Sequence, residues 1–356
     1  MATSDDLVVV GLDNGGTKNN ATVLDASGRF LVDRMVEVPS RVLDGPEVAV
    51  EALADAMDNI LALTGTPRSL LAAVGLDTPG PASATGVISS RGSTNFSAPE
   101  WWGFDFRGAV EARVGLPVVY TNDGNAAALY AHHIHFGSLA MVHSSMSAIV
   151  GTGLGGGLVE AGRVVQGAAG MAGELGHVHI PMDGLLGPDQ PVPQCNCGFA
   201  ADAESVASLT GITRNLLPYW LSRFPDHDLA RAESLGKAAK LVRGYGEKGD
   251  ELALKIFEQQ AMALGRLFTI GANFTDPSAY FVGGGVVEAA PHFRDWFVGK
   301  VKEHTQLRVE QVAVARFALV PDRDMAGARG AAIAAFEHHL AGPIQVPAYD
   351  EGVSKG

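Results

Sequence analysis

The sequence predicts an α/β protein built from two related halves facing a cleft, and three observations carry that reading. A pattern of apolar strand, glycine turn and strand near residue 10 recurs near residue 150. Strand-like runs alternate with amphipathic helical stretches, the mark of layered α/β architecture. A chain of 356 residues, 47% hydrophobic and 18% charged, is long for one domain and has ample core for two lobes.

The elements follow in order. Residues 7–12 form an apolar run ending in Asp13-Asn14-Gly15-Gly16-Thr17-Lys18, and 21–24 resume strand composition. After a turn at 25–28, residues 29–38 read as a third strand. Pro46 opens a helix with Val50, Leu53, Met57, Ile60 and Leu61 on one face. A strand at 70–76 ends in Asp77-Thr78-Pro79-Gly80-Pro81. A helix over 106–114 then precedes a strand at 117–121, which breaks at Asn122-Asp123-Gly124-Asn125 into an alanine-rich helix. The first half is therefore β-β-β-α-β-α-β.

The second half starts alike. A β-rich run over 141–150 ends in the glycine turn Gly151-Thr152-Gly153-Leu154-Gly155-Gly156-Gly157, followed by short strands at 158–160 and 163–165. Helices are expected at 203–210, 251–273 and 289–304, with strands at 279–282 and 312–320. Gly283-Gly284-Gly285 reads as a third glycine turn, and 216–248 as a helical insertion. The expected division is a smaller lobe over 1–121 completed by a C-terminal helix near 325–340, a larger lobe over 122–324, and a polar tail over 343–356.

Composition narrows the function. Lys plus Arg number 26 against 39 Asp plus Glu, a net charge of −13, which argues against a nucleic-acid partner. The start, Met1 to Asp6, lacks the features of a signal peptide, and no apolar window reaches membrane-spanning length. Two cysteines make no disulfide framework. The expected setting is cytoplasmic, with no membrane partner.

Three constellations carry chemistry. The first glycine turn lies between strands, so it is neither a Walker loop nor a dinucleotide fingerprint; it is a hairpin turn or a phosphate cradle. A second such turn in the other half favours two turns holding nucleotide phosphates. Asp123 sits where a strand meets a helix, and either caps that helix or takes a proton from an attacking alcohol; local sequence favours the cap. Asn95, before Trp101 and Trp102, is a turn residue or a ligand for sugar hydroxyls. The segment 174–204 gathers Glu174, His177, His179, Cys195, Cys197, Asp202 and Glu204, residue types that suit a polyol, acid/base chemistry or a zinc ion. His132, His133 and His135 read as the solvated end of a helix.

Taken together and in order, these motifs resemble the ROK family of sugar kinases and related repressors, from residue 7 to about 334. The resemblance implies an actin/hexokinase/Hsp70-like fold and transfer of the ATP γ-phosphoryl group to a hexose, glucose foremost. It implies Asp123 as general base, which reverses the local preference. It implies Asn95, Asn122, Glu174, His177 and Glu204 at the sugar. Asp13, Gly15, Gly16, Thr17, Lys18, Thr152, Gly153, Gly283, Gly284 and Gly285 would serve the nucleotide, with Mg²⁺ accompanying it. A homodimer is the family expectation. Residues 1–6 leave no room for the DNA-binding region of the family's repressors. Kinases for other hexoses, and polyphosphate as donor, remain open alternatives.

One departure stands out. The family's zinc set uses the histidine of Glu-x-Gly-His and three cysteines, whereas here the third cysteine is Asp202 and a nearby glycine is Ala201. Zinc accepts carboxylate oxygen, so His177, Cys195, Cys197 and Asp202 can complete a tetrahedron. The alternative is a metal-free loop held by packing.

Overall fold

The computed structural model describes residues 7–80, 85–88, 94–321 and 323–341. Its frame is two five-stranded sheets. The first comprises β1 (Val8–Asn14), β2 (Lys18–Leu24), β3 (Glu37–Pro39), β4 (Leu71–Thr78) and β5 (Val118–Asn122), ordered β3-β2-β1-β4-β5. The second comprises β6 (Ser144–Val150), β7 (Leu154–Glu160), β8 (Arg163–Val164), β9 (Ala279–Gly284) and β10 (Arg316–Leu319), ordered β10-β9-β6-β7-β8. In both, the central strand pairs antiparallel with its hairpin partner and parallel with the strand on its other side. The second sheet repeats the first strand for strand, as the recurring glycine-ended pattern predicts.

Helices cover and link the sheets: α1 (Pro46–Thr64), α2 (Phe106–Val114), α3 (Asp123–Phe136), α4 (Glu204–Ala207), α5 (Leu209–Gly211), α6 (Leu217–Arg223), α7 (Leu235–Gly246), α8 (Glu251–Thr275), α9 (Pro291–His304), α10 (Val309–Val314) and α11 (Arg323–Ala341). Pro46 opens α1, whose five predicted apolar residues are all buried, and Gly65 closes it in the left-handed conformation. The stretch 216–248 contributes Leu216, Leu217, Leu229, Ala238, Ala239 and Val242 to the core of the second half. Among the described residues no helix is long and apolar enough to cross a membrane.

Several boundaries differ from expectation. The third strand shrinks to Glu37–Pro39, because the backbone of the preceding stretch pairs with the sheet through an isolated bridge from Phe30 to Leu24, and the Val36 N–H goes to the Asn20 side chain instead of a strand carbonyl. Residues 141–142 belong to a 3-10 turn, Gly137–Val142. The run 312–320 divides into helix and strand at Ala315, where α10 ends. His132 is not on a solvated face: it is fully buried, bonded to the Ser145 hydroxyl and the Ala140 carbonyl. Burial first, then the neighbouring histidines, pushes its pKa down to about 4. Pro81, Ser93 and the 343–356 tail lie outside the described residues.

Glycine does its main work here by close packing. Gly155, Gly156 and Gly157 belong to β7 rather than to a turn. A Cβ on Gly124 of α3 would lie 2.7 Å from the Gly156 nitrogen, and one on Gly157 would meet Ala128 and Asn125. On the other sheet, Gly11 and Gly75 admit the backbone of α11, and Gly330 lets α11 touch α3 at Ala126. These contacts seat α3 and α11 between the sheets and put Asp123 at the cleft.

Gly124→Ala separates the two effects. Alanine favours helix by about 1 kcal/mol, but its methyl meets unyielding backbone, and overpacking costs about 1–3 kcal/mol. The variant is expected to be less stable by urea denaturation. A gain in stability would show that α3 is not tightly seated.

Candidate active site

The site begins with strand register. Asp13 on β1 and Asp77 on β4 are paired positions of parallel strands, so their carboxyls share one face and interact directly. Asp77 is fully buried, and neither of its oxygens has a donor among the described residues other than a proton shared with Asp13. Gly327 of α11 makes room for the pair, since a Cβ there would lie 2.7 Å from Asp77 Oδ2. Burial, followed by the neighbouring acids Asp13 and Asp123, holds Asp77 well above the usual carboxylate range. Burial raises Asp13 too. Two carboxyls in contact, one fully buried and one half-buried, either share a proton or need a cation to stay charged together.

Across from them stands Asp123, the first residue of α3. Asn122, not Asp123, caps this helix: its Oδ1 accepts the Asn125 N–H at 2.8 Å. Asp123 accepts the N–H of Gly124 at 2.7 Å, and one side of it stays open to solvent. Enclosure by protein, together with the charges of Asp13 and Glu174, pushes its carboxyl up to about 6. The cap reading therefore passes to Asn122, which leaves Asp123 available for chemistry.

Asn122 also turns its amide to Glu174 Oε1 at 3.3 Å, so these two residues meet. Glu204 stands close to Glu174 and His177, and burial raises Glu174. Asn95 sits elsewhere, against the first glycine turn: a Cβ on Gly16 would lie 2.6 Å from its Oδ1. Gly15 closes that turn by donating its N–H to the Lys18 carbonyl at 3.0 Å, while the Lys18 ammonium pairs with Glu37. Thr17 is exposed.

The second turn is shorter than expected. Only Gly151, Thr152 and Gly153 lie between the strands, and Gly151 donates to the Gly153 carbonyl at 2.9 Å. The third is no turn at all. Gly283 and Gly284 are the buried last residues of β9, opposite Ile149 and Val150, and Gly285 begins a 3-10 turn. Gly284 has φ +88°, and a Cβ there would meet the Val150 carbonyl, so this position needs glycine twice over.

Next to Glu204 lie His177, Cys195, Cys197 and Asp202, whose donor atoms all fall within 4.8 Å of one another. His177 turns Nδ1 to Asp202 Oδ2 at 3.4 Å and to Cys195 Sγ at 3.8 Å, and Cys197 Sγ reaches Asp202 Oδ2 at 3.6 Å. The Ser205 N–H holds the other Asp202 oxygen at 2.8 Å, which fixes the carboxylate. The hydrogen bond to Asp202 pushes His177 up to about 9 despite burial. At Asp202, burial is outweighed by the bonds from His177, Cys195 and Ser205, and its pKa falls. Sulfur, imidazole and carboxylate converging from four residues suit zinc, so the substituted set fits the ion. The hard oxygens of Asp13 and the donorless Asp77 suit Mg²⁺ shared with nucleotide phosphates.

Asp77 is the residue the sequence left unassigned. Only the parallel register to Asp13, a pairing across distant segments, picks it out.

The ROK family profile matches residues 9–338. A glucokinase from Halalkalibacterium halodurans is 30% identical over 311 residues, covering 84% of this chain and 89% of its own. The ROK hexokinase structure from Thermus thermophilus superposes with a TM-score of 0.73 at 30% identity, covering 94% of this chain and all of that one (100%). A ROK glucokinase from Streptomyces griseus, solved with glucose and AMPPNP, gives 0.64 at 26% identity, covering 93% and 100%. With the duplicated actin-like fold, these likenesses define the class of protein: an ATP-dependent sugar kinase. More particularly, the chain belongs to the ROK family.

Proposed function

We propose that the protein phosphorylates the 6-hydroxyl of a hexose, glucose foremost, with Asp123 as general base. The observation that carries this reading is Asp123 itself: an uncapped carboxylate at the mouth of α3, raised to about 6, between the acid pair and Glu174. A base with its pKa just below neutrality is ionised at pH 7 yet keeps appreciable proton affinity. Glucose is preferred because the glucokinase likenesses span most of the chain.

In this reading Asn122, Glu174, His177 and Glu204 hold the sugar hydroxyls, and Asn95 approaches from the side of the first turn. The two hairpin turns, at Gly15–Gly16–Thr17 and Thr152–Gly153, offer backbone N–H groups to the phosphates. Lys18, Gly283, Gly284 and Gly285 border the nucleotide without offering it side-chain donors, apart from the Lys18 ammonium that Glu37 engages. Asp123 takes the proton of the 6-hydroxyl as its oxygen attacks the γ-phosphorus, so the chemistry needs alignment more than covalent help. Asp13, with Asp77 behind it, would hold Mg²⁺, which neutralises phosphate charge when bound. His177, Cys195, Cys197 and Asp202 would hold zinc, which supplies rigidity and leaves Nε2 of His177 outside the ligand set. The lobe up to residue 121, with the helix near 325–340, closes on residues 122–324 and excludes water.

A coupled assay of ADP release across a panel of hexoses and N-acetylhexosamines, with ATP and polyphosphate as donors, tests this reading. ATP with glucose is expected to give the highest kcat/KM. A tenfold or greater preference for another sugar, or for polyphosphate, would overturn the assignment of substrate.

A further inference from the structure

Glu204 touches the phosphate turn as well as the sugar side of the cleft. Its Oε2 accepts the Leu154 N–H at 2.8 Å, while Oε1 faces the Cys195 thiol at 3.5 Å. The contact with the turn is tight, since a Cβ on Gly153 would lie 2.7 Å from Glu204 Oε2. The segment that follows Glu204 grips the same turn from behind. Leu209 N–H donates to the Gly151 carbonyl at 3.0 Å, and Thr210 donates to the Thr152 carbonyl through its N–H at 3.1 Å and its hydroxyl at 2.8 Å. With those carbonyls engaged, the N–H groups of Thr152 and Gly153 find no acceptor among the described residues. That geometry suits phosphate oxygens.

We infer that Glu204 is a positioning residue for the phosphate turn, and that through it sugar binding sets nucleotide affinity. The inference rests on the reading of this cleft as a sugar site. One carboxylate serves two ligands: a sugar hydroxyl on one oxygen fixes the group whose other oxygen holds the turn. Ordering the carboxylate once benefits both ligands, so each tightens the other by the same factor. Thr210 differs, because its hydrogen bonds among the described residues run to the turn and not to the sugar residues. It sets how well the turn is formed, not how the turn senses sugar.

The test is calorimetric titration of AMPPNP with Mg²⁺, with and without saturating glucose. Wild type is expected to bind AMPPNP about 5-fold or more tighter with glucose present, the lower end of common coupling factors. Gly153→Ala, which wedges a methyl against the carboxylate, is expected to bring that ratio close to one while glucose still binds. Glu204→Gln, with glucose raised to saturation, lowers it in the same direction, because a neutral amide oxygen holds the Leu154 N–H less strongly. Thr210→Val weakens AMPPNP equally with and without glucose and keeps the ratio. A wild-type ratio of one with glucose bound, or an unchanged ratio in both Gly153→Ala and Glu204→Gln, overturns the inference. Absence of glucose binding in the wild type would instead defeat the sugar reading of the cleft.

Discussion

Asp123→Asn is expected to lower kcat by about 10²–10⁴-fold, the usual worth of a positioned general base, while leaving glucose affinity largely intact. Asparagine keeps the shape and can still accept the Gly124 N–H, but it cannot take the proton of the attacking hydroxyl. The pH profile carries a second signature. Enclosure by protein and the charges of Asp13 and Glu174 raise Asp123 to about 6, so the wild type loses activity as pH falls through that value. Above it the carboxylate is free and the rate reaches a plateau; below it the rate falls about tenfold per unit. In Asp123→Asn this acid limb disappears from the residual rate. Near-normal turnover in the variant would remove Asp123 from the chemistry.

The second large effect concerns the zinc set. Purified protein is expected to carry about one zinc per chain, held by two sulfurs, one imidazole and one carboxylate. Asp202→Ala should cost more than the ~10–100-fold in metal affinity typical of losing a supporting partner, because a direct ligand is removed and His177 loses its hydrogen bond. Melting temperature and glucose affinity should fall with it, since Glu204 follows directly in the chain and Cys195 faces its Oε1. Asp202→Cys should retain the metal. Elemental analysis with thermal melts, before and after chelation, checks this. Zinc-free protein whose melt ignores both chelator and added zinc would leave a loop held by packing and the His177–Asp202 ion pair.

The duplicated sheets were legible because strands ending in glycine recur at matching places in each half, and the apolar face of α1 is visible in its spacing. Less legible was anything set by partners distant in sequence. The glycines at 155–157 look like a phosphate loop, yet their neighbours Gly124, Asn125 and Ala128 show that they seat a helix against a strand. The run at 29–38 has strand composition but little sheet to pair with, and only its end is recruited. At Asp123 the local cap signal was real but belonged to the residue before it. Asp77 carried no signal of its own, because its meaning comes from lying opposite Asp13 across a parallel pair. By contrast His177, Cys195, Cys197 and Asp202 converge as the family resemblance implied, since one short loop contains nearly all of the geometry.

In the proposed reaction this cleft delivers the γ-phosphoryl group to a hexose 6-hydroxyl with Asp123 as base. Phosphorus NMR of the product formed from ATP and glucose, by wild type and Asp123→Asn at equal concentration, tests it most directly. A single phosphomonoester coupled to the two methylene protons of C6 is expected, formed by the wild type and only in trace by the variant. Phosphate on the anomeric carbon, or equal product from both proteins, would contradict it.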